Sequence, residues 1–103
     1  MPNSQPSSEP LNFGGSMRVG WYTAQLFVKL TVTKTVLTIS SGGRSYRIGR
    51  ENFKGYQDTS VLGIFKRGIR FHHSQPNLAN PVVFYPSVGR ESLKQDLIKL
   101  GWS

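Results

Sequence analysis

Leu26, Val28, Leu30 and Val32 alternate with Phe27, Lys29, Thr31 and Thr33, the period-two pattern of a strand with one buried face. A turn around Thr33-Lys34-Thr35 leads into a second strand, in which Leu37 and Ile39 alternate with Val36, Thr38 and Ser40. Gly42-Gly43 supplies the positive φ of a tight hairpin, so residues 44–48 return antiparallel with Tyr46 and Ile48 facing inward. Gly20-Trp21-Tyr22-Thr23, ahead of this meander, reads as a short extra strand or a docking segment.

The stretch 49–60, GRENFKGYQDTS, shows no sustained periodicity and predicts a loop or one helical turn. Residues 61–65 and 69–73 read as two strands closed by a short loop at Lys66-Arg67-Gly68, and 82–85, bounded by Pro81 and Pro86, as the last strand. Helical spacing appears once. Leu93, Leu97, Ile98 and Leu100 define one face, with Arg90, Lys94, Gln95 and Lys99 facing away. Ser87 or Gly89 is the expected N-cap, with Glu91 near the positive end and Lys99 near the negative end. Gly101 is the expected left-handed stop, which lets Trp102 fold back into the core.

The chain has 103 residues, 37% of them hydrophobic, which is enough for one core and not for two. Residues 1–16 hold only two large apolar side chains, Leu11 and Phe13, too few to repay ordering entropy, so 1–16 is predicted to be a flexible arm and 17–103 the folded domain. There is no cysteine, which excludes disulfides, thiolate metal sites and a thiol nucleophile. No signal-peptide pattern and no window of about 18 apolar residues is present, so a soluble, cytoplasmic protein is expected.

Six or seven strands closed by one helix match the order of a pleckstrin-homology-like (PH-like) barrel, although periodicity alone also fits a five-stranded barrel or an α+β roll. The run GIRFHHSQPNLANPVVFYPS followed by SLKQDLIKLGW, from Gly68 to Trp102, resembles bacterial PH-like domain proteins. That resemblance covers about a third of the chain. It implies a mainly β fold with one C-terminal α-helix, a split barrel of two packed antiparallel sheets capped by the helix, and a noncatalytic binding or assembly role. Lipid-binding PH domains carry a basic motif ending in Arg on the first hairpin. Here Lys29 and Lys34 are followed by Thr35-Val36, so that arginine is missing, which argues against specific phosphoinositide recognition.

Thirteen Lys and Arg stand against five Asp and Glu, a formal charge of +8, so an anionic partner or a purely solubilising charge is expected. The candidate anion- or partner-binding residues are Lys29, Lys34, Arg44, Arg47, Lys66, Arg67 and Arg70, with Arg50 and Lys54 close in sequence. They would form one patch if the sheets gathered them on one side. Engagement of an acidic protein or an anionic membrane surface is the first expectation. Binding of RNA or single-stranded DNA is the alternative; it predicts affinity that falls steeply with salt and is lost when Arg44, Arg47 and Arg70 are neutralised. Exposed sheet edges also allow a homo-oligomer.

Chemistry is poorly provided for. His72 and His73 are adjacent on a strand and point to opposite faces, so they cannot share a metal; His73 is expected as a buried or rim hydrogen-bonding residue and His72 at the surface. Glu9, Glu51, Asp58, Glu91 and Asp96 are scattered, and the glycines fit turns, not a phosphate loop. Neither an enzyme activity nor a cofactor or metal is expected. An enzyme would need His72 or His73 within hydrogen-bond reach of Glu51 or Asp58 in a concave pocket.

Overall fold

The computed structural model describes residues 10–61 and 66–102. Leu11–Val19 (β1), Tyr22–Val32 (β2), Val36–Ser41 (β3), Arg44–Gly49 (β4), Phe53–Val61 (β5), Lys66–His73 (β6) and Val82–Pro86 (β7) precede one helix, Arg90–Lys99 (α1). A short 3-10 turn, Arg50–Asn52, separates β4 from β5. All strand pairs are antiparallel, and the order across the sheet is β4-β3-β2-β1-β7-β6-β5. The expected mainly β fold with a single C-terminal helix is what the structure shows. The two meanders are not separate sheets, because β1 pairs with β2 on one side and β7 on the other, joining them into one curled sheet.

That joining strand is not evident in the sequence pattern. Residues 11–16, expected to belong to a flexible arm, form the first part of β1, with Leu11 opposite Val32 and Phe13 opposite Leu30. Two apolar side chains suffice because both pack against the core while the ladder satisfies the backbone. Residues 1–9 of the predicted arm lie outside the described residues. The 49–60 stretch, expected as a loop or one helical turn, holds one such turn at Arg50–Asn52, but most of it is β5, which is corrected likewise. A register shift between Phe53 and Tyr56, at Gly55 with φ +104°, puts two aromatics three positions apart on one face and hides the period of two. The hairpin turn predicted at Lys66-Arg67-Gly68 is corrected. These residues belong to β6, opposite Val61, Ser60 and Thr59, while 62–65 fall outside the described residues.

The core lines the concave face. Val28, Leu30, Val32, Leu37, Ile39, Ile48, Ile69, Phe71 and Phe84 meet Leu93, Leu97 and Leu100 from the helix in one cluster. Ile98, expected on that face, is 58% exposed. Arg90 and Lys94, expected to face away, instead turn toward β5: Arg90 donates to the Thr59 carbonyl and Lys94 to Asp58. The helix face is rotated because Asp58 offers one carboxylate to both cations.

Gly89 is the N-cap, without a side-chain capping bond. At the other end Gly101 has φ +87°, its N–H donates to the Ile98 carbonyl, and the Trp102 N–H donates to the Leu97 carbonyl, the paired bonds of a Schellman stop. The chain then turns Trp102 into the core, 1% exposed, with its indole N–H donating to the Thr33 carbonyl at 2.7 Å and its ring edge-on to Phe53. Arg50 completes the clamp: it lies over the Trp102 ring and donates to the carbonyls of Lys34 and Gly101. From Asp58 on β5 to Thr33 beyond β2, the helix and its tail therefore tie the two halves of the sheet together.

Candidate partner-binding surface

The candidate basic residues whose side chains are described do not gather on one side of the sheet. On β4, Arg44 shares the concave parity of Tyr46 and Ile48, whereas Arg47 points to the convex face with Ser45. On β6, Arg67 has the parity of Ile69 and Phe71, and Arg70 faces the other way. Lys34 sits in the β2–β3 turn and Arg44 at the opposite end of β3, about 20 Å away at strand rise. Lys66 opens β6, across from Val61.

Two smaller groupings emerge. Lys29 on β2 and Arg47 on β4 are exposed on the convex face, two strands apart and one outward position out of step, about 12 Å from each other. Farther along, Arg18 and Arg70 flank Val83 on one cross-strand row that ends at Gln57. Arg18 was missed because it followed directly on a segment read as an arm. Its side chain also donates to the Gly20 carbonyl, bracing the β1–β2 turn.

Arg44 is held at the rim. Its guanidinium lies 4.5 Å from the Tyr22 ring centroid and donates to the Tyr46 hydroxyl, a hydrogen bond that pushes its pKa further upward. Arg50 is committed to the Trp102 clamp and is a structural cation.

The charge is also unevenly compensated. Between Pro10 and Arg50, through all of β1–β4, the chain carries six Lys and Arg and no Asp or Glu. In the other half, Asp58, Glu91 and Asp96 are engaged by Arg90, Lys94 and Lys99. The hydrogen bond from Lys94 to Asp58 raises the lysine pKa. The chain through β1–β4 thus supplies cations and no carboxylate.

The same half displays the largest exposed apolar side chains. Trp21, 96% exposed, occupies the two-residue β1–β2 turn after Gly20, whose φ is +62°. Leu26, expected to face inward, is 73% exposed, and Phe27 is 90% exposed. The cause is a wide bulge. Gly15 pairs with Val28 and Met17 with Ala24, so three residues of β2 stand against Ser16 alone. Two extra residues preserve parity on either side, which is why alternation gives no warning of the bulge. Phe27 has φ +57°, left-handed backbone that a bulky residue adopts rarely.

Both histidines are engaged in hydrogen bonds. His72 Nε2 meets Gln57 Oε1 at 2.8 Å; His73 Nδ1 accepts the Gln75 N–H and its Nε2 faces the Ala79 carbonyl, the rim role expected for it. Among the described residues no group of three His, Cys, Asp or Glu side chains is placed to hold a metal ion, and no helix is long and apolar enough to cross a membrane. No protein-family model matches this chain, and no curated protein or solved structure matches it either.

Proposed function

We propose that this protein is a noncatalytic PH-like binding or assembly module whose β1–β4 half engages an acidic protein or anionic membrane surface. One observation carries the reading: the continuous 10–50 segment has six cations, no carboxylate and three large exposed apolar side chains on one side of the sheet order. A charge that served solubility alone would need no such segregation, nor the exposed apolar groups that work against solubility. The PH-like assignment rests on the element order and on the resemblance of the Gly68 to Trp102 stretch.

The test is binding of the full chain to phosphatidylserine vesicles, polyglutamate, and RNA and DNA oligomers across a salt series, with light scattering on the same sample. Salt-sensitive binding to vesicles or polyglutamate is expected. Preference for an oligonucleotide, with a slope set by several phosphate contacts, would instead favour a nucleic-acid-binding barrel. Absence of binding to every polyanion would make the charge a solubility device.

A further inference from the structure

The bulge of β2 borders a cleft of about 420 Å³ on the convex face, lined among others by Asn12, Gly14, Phe27, Lys29, Ser40 and Gly42. Two residues at it add no side-chain packing to the core. Phe27 holds a left-handed backbone conformation and leaves its ring 90% exposed. Gly14 lies inside β1, where glycine packs nothing and costs entropy, yet a side chain there would have room, because a Cβ would meet no atom closer than 3.8 Å. An exposed aromatic wall and an unfilled floor face the same space.

We infer that this cleft receives a short acidic peptide segment bearing one apolar anchor residue. The inference rests on the anionic-partner reading above and narrows it to one site and one class of ligand. The anchor lies on Gly14 against the Phe27 ring, and flanking carboxylates reach Lys29 and Arg47 on the same convex face. No Asp or Glu between positions 10 and 50 opposes them. A nucleic acid fits less well, since the cleft itself offers Lys29, nearby Arg47 and one platform for stacking, with Arg18 and Arg70 farther along the face, while a strand held by its backbone needs successive phosphate contacts and several stacked bases. A bilayer would cover Phe27 and leave the recessed floor at Gly14 unfilled.

Fluorescence anisotropy on the full chain tests this with labelled twelve-residue peptides: one rich in Asp and Glu with a central Phe, one with Ala replacing that Phe, and one with Lys replacing the acids. Phosphatidylserine vesicles and a single-stranded oligonucleotide serve as competitors. The acidic Phe peptide should bind at least about tenfold tighter than either control, the scale of one buried apolar side chain or of lost charge pairing. Phe27→Gly, which suits the left-handed backbone, and Gly14→Val, which fills the floor, should each lose about tenfold in affinity while circular dichroism remains that of the parent and Gly14→Val melts no lower than it. Acidic-peptide binding indifferent to the anchor and to both variants would overturn the cleft as the site while leaving the anionic-partner reading intact. Preferential binding of the oligonucleotide or the vesicles would overturn the peptide assignment. Absence of binding to any of the anionic probes would remove the underlying reading as well.

Discussion

The β1–β4 half and the β5–β7 half with its helix carry nearly equal numbers of cations and use them differently. In the second half, Arg90 and Lys94 converge on Asp58 and so hold the helix to the sheet, while Lys99 pairs with Asp96 within the helix. In the first, Lys29 and Arg47 stand on a convex face without acidic neighbours in sequence from 10 to 50, next to a bulge that pushes Leu26 and Phe27 into solvent. Net charge alone does not separate these cases; the position of the few carboxylates does.

Beyond the β1 ladders, Trp102 ties the halves a second time through Thr33 and Phe53, and its removal should have the largest effect. Trp102→Ala loses a fully buried ring, the hydrogen bond to Thr33 and the platform under Arg50. It should lower stability by about 3–5 kcal/mol in a denaturant melt. A loss below about 1 kcal/mol would mean the halves do not depend on this clamp.

Charge removal should then distinguish the halves by function. Neutralising Lys29, Arg44 and Arg47 together to Gln should weaken polyanion binding by about tenfold or more, flatten its salt dependence by up to about three contacts, and change stability by less than about 1 kcal/mol. Arg90→Gln with Lys94→Gln should do the reverse, lowering Tm while leaving affinity within about twofold. Equal loss of binding in both variants would erase the distinction.

A smaller effect isolates the bulge. Phe27→Gly relieves a left-handed backbone and adds freedom to the unfolded chain, two terms of opposite sign, so its unfolding free energy should stay within about 1 kcal/mol of the parent. A clear destabilisation by chemical denaturation would show that the ring supports the fold after all.

The smallest expected signal is alkaline. Lys94 has its pKa raised above 10.5, first by its hydrogen bond to Asp58. A folded-state pKa above the unfolded one gives stability that is fully present below the unfolded value and is lost as pH rises through the folded one. Tm followed from neutral pH into and beyond the lysine range should therefore decline slightly, and Lys94→Met should remove that part of the decline. An identical alkaline profile in the variant would exclude the pair as a contributor.

Much of the architecture was legible because local rules governed it. The alternation through 28–32 and 36–40, the Gly42 turn and the Leu93–Leu97–Leu100 stripe reappear as the central strands and the helix. Gly101 and Trp102 end the chain as their residue types predict, since a left-handed glycine and a large apolar residue after a helix have few alternatives. What failed were segments whose pattern is broken by bulges. Gly55 shifts Phe53 and Tyr56 onto one face, and the three-residue excursion at 25–27 leaves the surrounding parity unchanged while exposing Leu26.

A small, cysteine-free, strongly basic β-rich chain with one terminal helix and a long stretch without carboxylates follows from residue order alone. That β1 welds two meanders into one sheet, that Arg44 and Arg47 part to opposite faces, and that Gly14 and Phe27 border one cleft emerge from the folded molecule. The reason is physical: alternation and turn chemistry act over a few residues, whereas register between strands far apart in sequence is fixed by cross-strand pairing and core packing, which no local window contains.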